Sequence, residues 1–182
     1  MKLVILDRDG VINHDSDEFI KNPDEWIPIP NSADAIAFFN QYNYLVAIAT
    51  NQSGISRKLF TINDLNQIHS KMLKHIKNAG GEIEGIWFCP HSEQDNCQCR
   101  KPKTGLIDDI LQRLNIAASE TYMVGDSLRD LQCIHEAGGI PILVLTGKGK
   151  KTLYEQKIPE KTMVYNDLWS FAQDICLNKS CN

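Results

Sequence analysis

A three-layer α/β fold, with a mainly parallel sheet between helices on both faces, is what this sequence predicts, and two patterns predict it. Short apolar runs bounded by turn signals recur at Leu3 to Leu6, Tyr44 to Ala49, Ile86 to Phe88, Tyr122 to Val124 and Ile140 to Leu145. Continuous rather than alternating apolar composition marks strands buried on both faces. Between them, apolar residues recur at helical spacing: Ala33, Ile36 and Ala37, closing on Asn40; then Leu65, Ile68, Met72 and Ile76; then Leu106, Ile110, Leu111 and Leu114. Strands alternating with helices require right-handed crossovers, which lay the helices on the two faces of a Rossmann-like sheet.

The elements follow in order. Ser32 is the expected cap of the first helix, Asp64 lies near the start of the second, and Gly80-Gly81 stops it. Lys148, Lys150 and Lys151 are expected in a loop. Val164 to Tyr165 adds a short sixth strand, before a last helix from about Asp167 to Cys176. Trp26, Trp87 and Trp169 read as packing residues. With 182 residues, 42% of them apolar, the chain can bury one substantial core, and a single domain over residues 1–182 is expected.

A formal net charge of -4 and a pI near 5.7 exclude the broad basic field that attracts nucleic acid or an anionic membrane. Any phosphate must therefore be held by a few placed groups. One lysine and a short apolar run ending in Asp7-Arg8-Asp9 fit neither a signal peptide nor a membrane span, so the protein is expected in the cytoplasm, as a monomer by default. In that reducing compartment the six cysteines are not expected as disulfides. Cys133, Cys176 and Cys181 read as packing or tail residues. Cys89, His91, Cys97 and Cys99 form Cys-x-His-x5-Cys-x-Cys, a donor set that suits tetrahedral Zn²⁺. Ordering a loop over residues 89–99 costs roughly 1 to 2 kcal/mol per residue in backbone entropy. Structural zinc contributes about 10 to 16 kcal/mol in small peptides, the same scale.

Chemistry is expected at Asp7 and Asp9. Residues i and i+2 of an extended segment point to the same side, so both carboxylates can face one volume, which then needs a cation. Taken alone, Asp-x-Asp-Gly also reads as a strand followed by a solvated turn. Ligands of a parallel sheet collect beyond the carboxyl ends of its strands. On that rim Asp7 and Asp9 meet Thr50-Asn51-Gln52-Ser53 after the second strand, Gly125-Asp126 after the fourth, and Arg100-Lys101 after the third.

Four motifs in this order, DRDG, TNQSG, CRKPKTG and VGDSLRD, resemble the haloacid dehalogenase superfamily of phosphatases over residues 3 to about 147. The resemblance implies that Asp7 attacks phosphorus and forms an aspartyl phosphate, splitting one hard step into two. Asp9 would protonate the leaving oxygen and then deprotonate the attacking water. Lys101 would supply a point charge and Thr50 a hydroxyl to the transferred phosphoryl group. Mg²⁺ is expected on Asp7, Asp126 and the backbone carbonyl of Asp9. Asp130 would orient Lys101 or a water on the metal, or is simply an exposed helix acid. Lys103 rivals Lys101 as the motif lysine, and Arg129 reads as a solvated helix residue. Residues 11–31 and 81–101 leave no room for the large cap domain of many relatives, and the zinc loop would aim Arg100 and Lys101 at the phosphate.

Within the superfamily, the arginine between the aspartates and a zinc loop running into CRKP are similar to the heptose-bisphosphate phosphatases, which act on the route to ADP-heptose for lipopolysaccharide. They are similar, second, to the histidinol-phosphate phosphatases. A phosphorylated sugar is the expected substrate. By this resemblance Asp15, Ser16, Asp17 and Glu18 would line the sugar, or merely form a solvated turn. Thr50, Asn51, Gln52 and Ser53 would line the transferred phosphate, and Arg100 would grip the second phosphate or the sugar. Against this stands a binding module built on the zinc loop with Arg100, Lys101 and Lys103.

Overall fold

The computed structural model describes residues 2–155 and 157–178; Cys181 lies outside them. One parallel sheet holds β1 (Lys2–Leu6), β2 (Tyr44–Asn51), β3 (Ile86–Cys89), β4 (Thr121–Gly125), β5 (Ile140–Val144) and β6 (Met163–Tyr165). Their spatial order is β3-β2-β1-β4-β5-β6. Helices α1 (Ser32–Gln41), α2 (Ile62–Asn78), α3 (Gly105–Leu114), α4 (Leu128–Glu136), α5 (Gly149–Glu155) and α6 (Leu168–Leu177) connect and cover the strands. Among the described residues no helix is long and apolar enough to cross a membrane.

Strand β1 is central, with Val4 in register between Val46 of β2 and Tyr122 of β4. Its successive side chains serve opposite cores. Val4 and Leu6 pack with Ile36, Phe39, Ile68 and Phe171 from α1, α2 and α6, whereas Leu3 and Ile5 pack with Ile107, Ile110 and Ile134 from α3 and α4. Each such side chain contributes about 1.5 to 3 kcal/mol on full burial. This two-sided demand explains the unbroken apolar run.

Two local expectations are corrected. Ser32 is the first residue of α1, and its hydroxyl donates to the carbonyl of Ile12 (2.8 Å) instead of capping the helix. Lys150 and Lys151 lie in α5 and not in a loop; its buried residues are Gly149 and Thr152, so the helix shows no apolar period in sequence. Asp64 does serve the start of α2, in a reciprocal pair in which Asp64 N–H donates to Thr61 Oγ1 (3.2 Å) and Thr61 N–H to Asp64 Oδ2 (2.8 Å). Trp26 is buried in the core, Trp87 Nε1 donates to Asp109 (2.6 Å), and the Trp169 ring packs on Phe38.

From β1 the chain moves to β2 and β3 on one side, then crosses to β4, β5 and β6 on the other. Strand order thus reverses between β1 and β4, whose carboxyl ends carry Asp7 and Asp126. Neither the segment between β1 and α1 nor that between β3 and α3 holds an inserted cap domain.

Helix α2 reaches this rim through His69. Its ring is buried, with Nε2 3.5 Å from Arg8 Nη1, and burial together with the Arg8 charge holds its pKa down at about 4. A histidine that folds neutral stabilises above its unfolded pKa near 6.5 and loses that contribution as pH falls toward 4. Urea melts should therefore show wild type losing up to about 3 kcal/mol more than His69→Gln between pH 6.5 and pH 4. Equal losses in both proteins would contradict the neutral, buried state.

Candidate active site

Lys101 organises the rim. The ammonium pairs with Asp130 Oδ1 (2.7 Å) and Asp7 Oδ1 (3.1 Å) and donates to the carbonyl of Ala49 (2.7 Å). One cation thus faces two carboxylates and a carbonyl. Asn51 fixes the backbone beneath it, accepting from Lys101 N–H (3.1 Å) and donating to the Lys101 carbonyl (3.1 Å). Asn51, which also lines the pocket, thus uses its amide to position the lysine. Lys103 turns away to Asn96 Oδ1 (2.7 Å), so Lys101 alone of the two occupies the site.

Asp7, Asp126 and Asp130 are buried and place one carboxylate oxygen each within 4.8 Å of one another. Asp130 is fully buried, not an exposed helix acid. Its second oxygen accepts from the Ser127 hydroxyl and backbone, which starts α4. Gly10, at φ +82°, and Gly125 make the approach possible. A Cβ at Gly10 would strike the Asp126 carboxylate, and one at Gly125 the Asp130 carboxylate.

Burial raises the Asp7 pKa to about 6, with Lys101 opposing and Asp130 and Asp9 adding to the rise. Burial also raises Asp126 to about 8, reinforced by the charges of Asp130 and Asp7. At Asp130 burial is outweighed by the charges of Lys101 and Arg129, so its carboxyl sits below the usual range. Lys101 itself is pushed up, Asp130 and Asp7 overcoming the cost of burial. Two carboxylates that resist ionising side by side, with only oxygen donors facing each other, form a set that a hard divalent cation fits.

The Asp9 side chain stands outside this cluster. Its carboxylate accepts from Arg8 Nε (3.1 Å) and Nη2 (3.0 Å), Asn13 Nδ2 (2.9 Å) and Gln52 Nε2 (3.0 Å). Burial is overcome by the Arg8 charge and these donors, and the Asp9 pKa falls. Gln52 also donates to Thr50 Oγ1 (2.9 Å), bridging Thr50 and Asp9 at the pocket floor. Asp9 therefore stands as a carboxylate, the form that takes a proton.

A pocket of about 240 Å³ opens above these groups. Asp15, Ser16, Asp17, Asn51, Gln52 and Ser53 line it, but Glu18 is exposed and lies outside the lining, as a solvated turn residue. The pocket also carries Arg57, Arg100, Arg129 and Lys148. Of these cations sequence reasoning found only Arg100. Arg129 is half-buried, its Nε donating to Ser127 Oγ (3.2 Å), and it is not a solvated helix residue. Its position one residue before Asp130 in VGDSLRD was the available signal.

Cys89, His91, Cys97 and Cys99 converge after β3. Their sulfur separations are 3.2 Å (Cys99 to Cys89), 3.5 Å (Cys99 to Cys97) and 3.6 Å (Cys89 to Cys97), and His91 Nδ1 lies 3.4 Å from Cys99 Sγ and 3.7 Å from Cys89 Sγ. These are too long for disulfides and near the edge, about 3.7 Å, of a tetrahedron around an ion with bonds of about 2.3 Å. Arg100 Nη1 donates to the carbonyl of His91 (3.2 Å), tying the cluster to the pocket wall.

An aspartate after the first strand, a buried lysine and a carboxylate cluster at the topological switch define a hydrolase of the haloacid-dehalogenase-like class. The HAD-hydrolase-like family model matches residues 98–171. The D-glycero-beta-D-manno-heptose-1,7-bisphosphate 7-phosphatase of Neisseria meningitidis is 60% identical, over 96% of this chain and 95% of that protein. The enzyme of that name from Bordetella bronchiseptica is 49% identical, over 96% of this chain and 98% of its own. The crystal structure of the B. bronchiseptica D,D-heptose 1,7-bisphosphate phosphatase, complexed with magnesium and phosphate, superposes with a TM-score of 0.96, covering 98% of this chain and 99% of that one at 48% identity. The chain belongs to the heptose-1,7-bisphosphate 7-phosphatase family.

Removing Lys101 would leave Asp7 and Asp130 buried without their shared cation. Metal-free Lys101→Met should lose about 3 to 5 kcal/mol at pH 8, the scale of breaking a buried pair. Carboxyls with raised folded pKa values bind protons on folding, so stability falls as pH rises through that range and is regained on acidification. Denaturant melts should show a smaller loss at pH 5.5 than at pH 8; an equal loss would contradict this burial cost.

Proposed function

We propose that the protein removes the 7-phosphate of a D-glycero-D-manno-heptose 1,7-bisphosphate, with Asp7 as nucleophile. The observation that carries this reading is the buried Lys101 bridge between Asp7 and Asp130, beneath a pocket bearing four cations. Asp7 Oδ1, held by Lys101 and by the Arg8 N–H (2.8 Å), leaves Oδ2 to attack phosphorus in line and form the aspartyl phosphate. As Asp7 gives up its charge to the new bond, the Lys101 ammonium turns its field to the phosphoryl oxygens. Asp9, kept ionised by Arg8, Asn13 and Gln52, takes the proton of the water that opens the intermediate. Its earlier task, protonating the leaving oxygen, requires it to hold a proton against those donors. Thr50, whose Oγ1 accepts from Gln52, would turn its hydroxyl proton to the transferred phosphoryl group.

Asp7 and Asp126, with the Asp9 carbonyl, would hold Mg²⁺. When bound, Mg²⁺ offsets the carboxylate charge and stabilises negative charge on the phosphoryl oxygens. Zn²⁺ on Cys89, His91, Cys97 and Cys99 would keep Arg100 and Lys101 in place, Arg100 meeting the second phosphate together with Arg129. One chain supplies all these groups, which suits a cytoplasmic monomer of a single domain.

The sequence argument for histidinol phosphate weakens on this geometry. Its ammonium would need the acids of the 15–18 segment, but Asp15 and Asp17 are paired with Lys148, and the remaining pocket cations favour a second phosphate. A binding module has no use for the buried acid cluster.

Assays at matched concentration should show heptose bisphosphate turned over at least about a hundredfold more efficiently than histidinol phosphate, and Asp7→Asn should lose nearly all activity. Preference for histidinol phosphate would reject the substrate, and an active Asp7→Asn the nucleophile. Stripping zinc with a strong chelator, followed by Mg²⁺ replenishment, should raise KM and lower kcat; unchanged constants would overturn the positioning role of the zinc loop.

A further inference from the structure

The turn from β5 into α5 has no part in the chemistry above, yet it is bound into the site at several points. Thr146 Oγ1 donates to the carbonyl of Gly10 (2.6 Å), and Lys148 N–H donates to Asp126 Oδ2 (2.8 Å). Gly147, at φ +52°, passes so near that a Cβ there would collide with the Asp126 carboxylate and with Gly10 Cα. Within α5, Thr152 Oγ1 donates to the Asp126 carbonyl (2.8 Å). The turn is thus a rigid brace for Asp126. From it the Lys148 side chain reaches across the pocket mouth, with Nζ 3.0 Å from Asp15 Oδ2 and 3.3 Å from Asp17 Oδ1.

The loop it reaches has no regular structure of its own. Asp15 Oδ1 accepts from Ser16 N–H (2.9 Å), which aims Oδ2 outward to Lys148, and Phe19 N–H closes a turn onto Ser16 (3.1 Å). Asp15 and Asp17 also add negative charge to a mouth already holding Asp7, Asp9 and Asp126, through which a phosphorylated substrate must pass.

We propose that Lys148 is a positioning residue: its ammonium clasps the Asp15–Asp17 loop to the turn that braces Asp126, setting the sugar-facing wall in register with the reacting carboxylates and cancelling that wall's charge. The clasp rests on the sugar-phosphate reading of the pocket. A half-exposed ion pair contributes little to global stability, so its loss is read in loop order and substrate affinity and not in melting temperature.

The test compares the full chain with Lys148→Met and Lys148→Arg, by hydrogen exchange over residues 14–19 and by steady-state kinetics on heptose bisphosphate. Lys148→Met should speed exchange in that loop, raise KM about 5- to 10-fold and leave kcat within about threefold, with Lys148→Arg restoring both. Unchanged loop exchange overturns the clasp. A fall in kcat at unchanged KM also overturns it, since the residue would then act through Asp126 alone. Loop exchange needs no substrate, so if wild type fails to hydrolyse heptose bisphosphate, the substrate reading falls while the exchange data still decide the clasp.

Discussion

A single ammonium group, that of Lys101, holds together a site that would otherwise repel itself. It lies fully buried between Asp7 from the end of β1 and Asp130 from α4, and it also satisfies the carbonyl of Ala49 in β2. Burying a charge costs several kcal/mol unless it is paired, and here the lysine and both acids are paired through one another. The arrangement also explains the economy of the neighbouring residues. Asn51 gives its amide to the Lys101 backbone, and the preceding residue, Arg100, donates to His91 of the Cys-His cluster, so the chain around the lysine is held on two sides.

The same logic of charge sets the remaining rim. Asp9 is separated from the carboxylate cluster by its own donors, so two acids one residue apart in sequence live in opposite environments: Asp7 pushed up by burial, Asp9 pulled down by Arg8. A difference of this kind assigns different tasks to chemically identical groups. Arg8 in turn is fully buried and backed by His69 from α2, which links the acid-base residue to the helix layer. Outside the cluster, Arg57, Arg100, Arg129 and Lys148 set four cations among the acids of the mouth, a placement that no net-charge argument reveals.

What could be read from the chain follows physical range. Strands buried on both faces announce themselves as runs such as Leu3 to Leu6, and the Cys-His cluster is legible because its ligands lie between residues 89 and 99. The motif order placed Asp7, Lys101 and Asp126 on one rim because a parallel sheet has only one carboxyl edge. Contacts set by tertiary geometry were illegible. Nothing near Lys148 says that its partners lie at 15 and 17, and nothing in TNQSG says that Asn51 and Gln52, at the pocket, also bind the protein's own lysine and aspartate. Glu18 looked equivalent to Asp15 and Asp17, but a turn at Ser16 to Phe19 sends it to solvent. Helix α5 escaped notice because it packs through Thr152 and not through an apolar stripe.

The central claim is that Asp7 and Asp126 share a divalent cation while Lys101 stays locked between Asp7 and Asp130. A crystal structure of this protein grown with Mg²⁺ and phosphate tests it most directly. The account predicts the ion bound by Asp7 and Asp126, the phosphate in line with Asp7 Oδ2, and the ammonium still bridging its two acids. An ion bound at Asp130 in place of Lys101, or an ammonium swung out to solvent, would contradict it.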